Sequence, residues 1–113
     1  MARVIITESL KQKIFKNFKK QSTIIFKHLK ILENNPHKGK LLTSVNKFLI
    51  KEIRYEGFRF YFLTDGKILK FGTQEELANL LIKFVNMSDK KQQQKTIDQI
   101  KNMLENLSFD DFK

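Results

Sequence analysis

Two arginines stand out among the residues whose types and spacing could do chemistry. Arg54 and Arg59 are two of only three arginines in the chain, against 19 lysines, and an arginine in so lysine-rich a sequence indicates a need for the planar guanidinium fork. Because strand side chains alternate between faces, Arg59 shares one face of segment 58–63 with Tyr61, and the three phenylalanines share the other. We expect the phenylalanine face to be core and the Arg59–Tyr61 face to be exposed, which suits phosphate binding and base stacking.

The preceding strand supplies further candidates. A short turn brings Arg54 within reach of Arg59, and Lys51 lies earlier on the same strand as Arg54. The alternative is structural: Arg54–Glu52 or Arg59–Glu56 could form surface ion pairs, which contribute little to stability.

Two groups of lysines flank these strands. Lys90 and Lys91 follow Ser88-Asp89 directly after the last apolar strand and open the final helix, where unpaired N–H groups attract anions. Lys38 and Lys40 lie in a loop that is too short a match for a phosphate-binding loop but could contact a phosphate. The alternative for all four is that they are ordinary solvated lysines.

The overall charge favours a polyanionic partner. The formal charge is +10, and residues 1–55 hold 13 basic and 3 acidic residues whereas residues 56–113 hold 9 of each. Such asymmetry predicts binding to polyanions that weakens as salt rises, although a merely solvated lysine-rich surface would have the same composition. The absence of cysteine excludes disulfides and thiolate chemistry. Two isolated histidines predict no metal site, so we expect no metal and no cofactor.

The remaining pattern describes the elements that must position these residues. No apolar run is long enough for a membrane span and no signal peptide is evident, so we expect a cytoplasmic protein. The periodicity predicts two helices over about 8–19 and 22–33, a short helix at 73–79 and a final helix from Ser88 or Asp89 to about Leu107. It predicts strands at 3–6, 47–55, 58–64, 67–71 and 80–87, with hairpin turns at Glu56-Gly57 and Asp65-Gly66.

This order defines an α+β domain. We expect a mostly antiparallel four- to five-stranded sheet with an N-terminal αα-hairpin, a C-terminal helix and all helices on one face. Residues 1–107 would form a single domain and residues 108–113 a short polar tail.

Several segments together resemble the RelE/ParE toxin superfamily. Residues 50–54, Ile-Lys-Glu-Ile-Arg, and 58–62, Phe-Arg-Phe-Tyr-Phe, are similar to its paired E-L-R and Y-R-x-x-Y/F strands. Residues 35–42 resemble the P-x-x-G-x-x-L loop before those strands. Residues 87–94 resemble the D-K-x-x-Q helix start of its phage-associated killer-protein branch. The resemblance extends over about residues 1–106.

The resemblance implies a toxin of a toxin–antitoxin system, namely a metal-independent, ribosome-dependent mRNA endoribonuclease that inhibits translation. In such enzymes the 2′-oxygen of the RNA attacks the adjacent phosphate, so the protein mainly orients the chain and stabilises charge. By this resemblance Arg59 would stabilise the transition state, and Lys90 or Lys91 would be the base or a second phosphate clamp. Arg54 and Tyr61 would contact the RNA backbone and base.

The resemblance also implies partners and leaves alternatives. The partners would be mRNA, the ribosome and an acidic antitoxin protein, and the free chain would be a monomer or weak dimer. Lys51, Lys38 and Lys40 complete the predicted RNA-binding set. One alternative is a gyrase-inhibiting toxin of the ParE type. The other is a non-catalytic RNA- or ribosome-binding module, because the final helix lacks the Arg and Tyr that many relatives carry there.

Overall fold

An N-terminal strand and two helices open the fold. The computed structural model describes residues 1–106, in which β1 spans Arg3–Ile6, α1 spans Glu8–Phe18 and α2 spans Ser22–Lys30. Thr7 caps α1, because its hydroxyl oxygen accepts a hydrogen bond from the backbone N–H of Leu10 at 3.3 Å. A single 3₁₀ turn follows each helix. The predicted αα-hairpin is confirmed.

Four further strands join β1 in one sheet. They are β2 (Lys40–Val45), β3 (Phe48–Tyr55), β4 (Phe58–Asp65) and β5 (Leu81–Ser88). The strand order is β1-β5-β4-β3-β2, with β1 parallel to β5 and every other pair antiparallel. The predicted α+β class and mostly antiparallel sheet are therefore confirmed, with five strands.

The turn between β3 and β4 sets the register of the candidate arginines. Glu56 and Gly57 occupy it with φ of 47° and 83°, the left-handed pair that a two-residue hairpin needs to match strand twist. Arg54 therefore lies directly opposite Arg59 on the neighbouring strand. The predicted hairpin is confirmed.

The predicted strand at 67–71 is wrong. This segment is a helix, α3 (Gly66–Phe71), because the carboxylate of Asp65 accepts from the backbone N–H groups of Lys67 and Ile68 at 2.9 and 3.0 Å. Asp65 thus acts as a helix N-cap rather than as the first residue of a hairpin turn. The fifth strand of the sheet is β2, part of which we expected to be loop.

Two more helices complete the described chain. α4 spans Gln74–Ala78 and begins with the predicted capping box between Thr73 and Glu76. α5 spans Gln93–Glu105, so the predicted start at Ser88 or Asp89 is wrong. Ser88 still belongs to β5, and a turn closed by the Asp89 carboxylate and the backbone N–H of Gln92 intervenes. The predicted end at Leu107 and the polar tail lie outside the described residues.

Different helices cover the two faces of the sheet. One face packs Phe60 and Phe62 against apolar residues of α1 and α2. The other packs Ile50, Tyr61 and Leu63 against the apolar stripe of α5, which consists of Ile97, Ile100 and Leu104. The expectation that all helices share one face is therefore wrong. α1 and α2 cover the face that carries Phe60 and Phe62. The apolar stripe of α5 therefore packs on the opposite face, which carries Tyr61.

Within residues 1–106, no helix has the length and apolar character required to cross a membrane.

Candidate functional site

The C-terminal end of β3 forms a free edge of the sheet. β2 begins at Lys40, opposite Glu52, so residues 53–55 of β3 extend beyond β2. The imidazole of His28, from α2, reaches this edge and bonds the backbone carbonyl oxygen of Arg54 through Nε2 at 3.1 Å. The His28 ring also lies 5.2 Å from the ring of Tyr55, centre to centre. One turn of α2 is thereby fixed against the edge.

A cleft of about 370 Å³ opens beside this edge. Its lining brings together three residues that the sequence analysis assigned to RNA contact, Lys38, Lys40 and Arg54, although they come from two separate segments of the chain. His28 lines the same cleft and was missed, since nothing in its local spacing indicates that helix packing carries it to β3. The other lining residues are Gly39, Glu52 and Ile53.

Gly39 holds the lysine loop tightly against the sheet. Its φ is +108°, a conformation that residues with a Cβ rarely adopt. A Cβ added there would lie 2.8 Å from the ring of Phe62 and 3.1 Å from the carbonyl oxygen of Glu52. A glycine is therefore required for Lys38 and Lys40 to sit this close to β3.

Lys51 supports the same loop from beneath. Its side chain is buried, its ammonium donates to the carbonyl oxygen of His37 at 3.2 Å, and it lies 5.8 Å from the centre of the Phe62 ring. Burial lowers the pKa of Lys51 below its usual 10.5, because a desolvated ammonium is disfavoured. Lys51 is thus placed to fix the loop and not to reach solvent.

Glu52 joins the two arginines of the hairpin. Its carboxylate lies 3.5 Å from the guanidinium of Arg54 and 3.9 Å from Nε of Arg59. The Glu52 side chain is 1% exposed, and neither carboxylate oxygen has a hydrogen-bond partner among the described residues. The Arg54–Glu52 ion pair that we considered as a structural alternative is therefore present, but its carboxylate is buried and not on the surface.

The two arginine side chains differ in access to solvent. The Arg54 side chain is 54% exposed and that of Arg59 is 6% exposed. Arg59 donates from its guanidinium to the carbonyl oxygen of Gly57 at 3.1 Å and faces the buried Glu52. The expectation that Arg59 lies on an open face is wrong, because its side chain is buried beside Glu52.

Tyr61 is likewise buried and cannot stack on an exposed base. The Ser88 hydroxyl donates to the carbonyl oxygen of Asp89 at 2.9 Å, which leaves Ser88 Oγ to accept from the Tyr61 hydroxyl at 2.7 Å. Burial raises the pKa of Tyr61, because the phenolate would be desolvated, and the charge of Glu52 acts in the same direction.

Lys90 and Lys91 lie apart from the cleft. Both are exposed in the turn between β5 and α5, and neither lines the cleft as far as the described chain shows. Ser88 of β5 lies opposite Arg59 of β4 in the strand register, so the turn that carries Lys90 and Lys91 leaves the sheet at the same end as the arginine hairpin. Their predicted place at a helix start is wrong, since α5 begins only at Gln93.

The charges give the cleft a positive balance. Arg54 and Arg59 share the single buried carboxylate of Glu52, so together with Lys38 and Lys40 the group of four cations and one carboxylate keeps a net positive charge beside the cleft. Three cations converging on one concave surface can hold the oxygens of a phosphate. Residues 1–106 contain no group of three or more His, Asp or Glu side chains that could hold a metal ion.

No family model, no curated protein and no solved structure matches the chain. The candidate site therefore rests on its own geometry.

Proposed function

We propose that this chain binds RNA in the cleft at the free edge of β3 and acts there as a toxin of the RelE/ParE type, cutting mRNA on the ribosome and stopping translation. The observation that carries the proposal is the meeting of Lys38, Lys40, Arg54 and His28 around one cleft. The resemblance of residues 35–42, 50–54 and 58–62 to motifs of that superfamily supports it.

Binding of the RNA backbone is the first step. The exposed guanidinium of Arg54 can form two parallel hydrogen bonds to phosphate oxygens, while Lys38 and Lys40 act as point charges. Glu52, 3.5 Å away, limits the orientations open to Arg54 before RNA arrives. This pre-organisation lowers the entropy that binding costs.

Cleavage then uses the RNA's own nucleophile. The 2′-oxygen attacks the adjacent phosphorus and the bond to the 5′-oxygen breaks, leaving a 2′,3′-cyclic phosphate and a 5′-hydroxyl. The three cations of the cleft stabilise the extra negative charge of the phosphorane. Because the carbonyl of Arg54 can only accept, His28 Nε2 carries the proton in that bond, and Nδ1 of the neutral ring is left to take the 2′-hydroxyl proton. A cleft lysine supplies the proton that the 5′-oxygen needs.

The other predicted residues take supporting roles in this proposal. Arg59 acts through Glu52, by balancing its charge, and Lys51 acts through the loop that carries Lys38 and Lys40. Lys90 and Lys91 extend the positive surface along which the RNA or ribosome lies. We further propose that the chain works in the cytoplasm, is a monomer or weak dimer when free, and is neutralised by an acidic antitoxin protein.

The decisive experiment maps mRNA ends by primer extension in a cell-free translation system with and without the purified chain. We expect new 5′ ends in the translated region with the wild type and with Arg3→Ala, a matched control because Arg3 lies in β1 at the opposite edge of the sheet. Arg54→Ala should reduce them at least about tenfold, as one lost contact to transition-state charge does. If Arg54→Ala cuts as well as the wild type, the cleft is not the site.

A second candidate is a non-catalytic RNA- or ribosome-binding module. The resemblance assigns stabilisation of the transition-state charge to Arg59. The side chain of Arg59 is only 6% exposed, which favours this non-catalytic alternative because a buried guanidinium does not reach the RNA. This function predicts RNA binding that Arg54→Ala weakens and no new 5′ ends under any condition. The same primer-extension assay therefore separates the two candidates.

A further inference from the structure

A second concave surface lies between β2 and α3, on the face of the sheet that α1 and α2 cover elsewhere. It is a groove of about 680 Å³. Leu49 and Leu69 form its floor, and two large apolar side chains on its walls are open to solvent, Leu41 at 55% and Phe71 at 73% exposure. We call this surface the β2–α3 groove.

The groove exists because the helical layer stops short of β2. α1 and α2 pack with residues of β1, β3, β4 and β5, whereas no residue of β2 belongs to that core cluster. Leu41 lies opposite Lys51 in the register and so points to the face that α1 and α2 cover elsewhere. One strand of the sheet thus keeps an apolar surface that a further helix on this face would bury.

The α3 wall of the groove is cationic. Lys67 and Lys70, both from α3, line it, and the Lys70 ammonium lies 5.3 Å from the centre of the Phe71 ring. Its lining holds no carboxylate, judged on residues 1–106. An apolar floor beside a basic wall is complementary to an apolar stripe with acidic side chains along one side.

We propose that the β2–α3 groove binds an amphipathic helix of a partner protein, with apolar residues at positions i, i+3, i+4 and i+7 and acidic residues along the side of that stripe that faces α3. A second copy of this chain is a poor occupant, because its formal charge of +10 opposes self-association. An added strand is disfavoured too, since the groove lies over the sheet and not along its hydrogen-bonding edge. The proposal does not depend on the RNA function.

The test uses two synthetic peptides of about 15 residues, long enough for four helical turns. Both carry leucines at the stated spacing; one has glutamates along one side of the leucine stripe and the other has lysines there. Fluorescence anisotropy at moderate salt should show saturable binding of the glutamate peptide, at least about tenfold tighter than the lysine peptide. Leu41→Ser and Phe71→Ala should each weaken it about tenfold, as loss of a central apolar contact does.

Two controls separate this surface from others. Phe15→Ala removes an aromatic side chain of α1 that is 53% exposed and outside the groove, so it should leave peptide affinity unchanged. Arg54→Ala should also leave it unchanged, whereas a peptide bound in the RNA cleft would lose affinity with that variant. Circular dichroism verifies that each variant is folded.

Any of four results would overturn the proposal. The first is no saturable binding, and the second is equal affinity for the two peptides. The third is tighter binding of a peptide with alternating valine and glutamate, which would mark strand addition. The fourth is concentration-dependent dimerisation in sedimentation velocity that Leu41→Ser abolishes, which would identify a second copy as the occupant.

Discussion

Arg54 and Arg59 face each other across the β3–β4 hairpin, but their side chains lie in opposite environments. Arg54 is about half exposed and lines the cleft, while Arg59 is buried beside Glu52. Strand alternation places both on one face of the sheet, so their difference in exposure is set by tertiary packing and not by the register. The exposed arginine is therefore the one that we propose to bind RNA, and the buried one balances the charge of Glu52.

Removing Arg59 should destabilise the fold. Arg59→Ala leaves the buried carboxylate of Glu52 with the half-exposed Arg54 as its remaining ion-pair partner, and a buried charge that is less well compensated costs about 1–3 kcal/mol of unfolding free energy. Urea unfolding measures the loss. The double variant Glu52→Gln with Arg59→Met should recover most of it, because no buried charge remains. Arg54→Ala should cost less than about 1 kcal/mol, as an exposed partner does. Equal stability of Arg59→Ala and the wild type would contradict this account.

Tyr61 should make stability depend on alkaline pH. Its pKa is raised above 10.0 by burial, so between pH 10 and the folded-state pKa the unfolded chain binds fewer protons than the native one. The contribution of Tyr61 is thus complete below pH 10 and is lost as pH rises through the folded pKa. Tyr61→Phe lacks this titration and loses the hydrogen bond to Ser88. The difference in unfolding free energy between wild type and Tyr61→Phe should therefore shrink above pH 10; a difference that stays constant to the limit of measurement argues against a buried phenol.

At the scale of elements, the segment after β4 shows why one prediction failed. Asp65-Gly66 is a common hairpin dipeptide, but Asp is also a preferred N-cap, and the residues alone do not decide between the two. Here the Asp65 carboxylate receives two backbone N–H groups of α3. The fifth strand of the sheet is β2. It was not predicted, because its mixture of polar and apolar residues is only a weak indication of a strand.

The cap on α3 gives a direct test. Asp65→Ala should lower the free energy of unfolding by about 1 kcal/mol, because two N–H groups at the helix start lose their acceptor. Asp65→Asn keeps a side-chain oxygen in the same place and should lose only a few tenths. Both are measured by urea unfolding. An alanine variant as stable as the asparagine variant would show that the cap contributes nothing.

Local patterns predicted the elements better than they predicted the site. The Glu56-Gly57 turn requires positive φ, and this fixes Arg54 opposite Arg59 from sequence alone. The burial of Tyr61 was not predictable, because it depends on which face α5 covers, and that is a property of the tertiary packing. The position of His28 at the cleft depends in the same way on where α2 crosses the sheet. Lys38 and Lys40 were recognised as candidates, but only the fold places them beside Arg54.

At the scale of the whole molecule, a net charge of +10 could attract RNA diffusely or through the cleft. A diffuse attraction would respond equally to the loss of any exposed lysine, whereas a site responds to a few particular cations. Three particular cations line the cleft, namely Lys38, Lys40 and Arg54. The salt dependence of binding distinguishes the two cases, because each phosphate neutralised releases bound counterions.

For a short single-stranded RNA, the slope of log affinity against log salt should be about −2, since each of three phosphate contacts contributes about −0.7. Lys38→Ala, Lys40→Ala and Arg54→Ala should each make that slope shallower by about 0.7, as one contact is lost. Lys16→Ala, which removes an equal charge from the exposed surface of α1, should leave the slope unchanged. The slopes come from anisotropy titrations at several salt concentrations. If Lys16→Ala changes the slope as much as the three cleft variants, attraction is diffuse and the cleft has no privileged role.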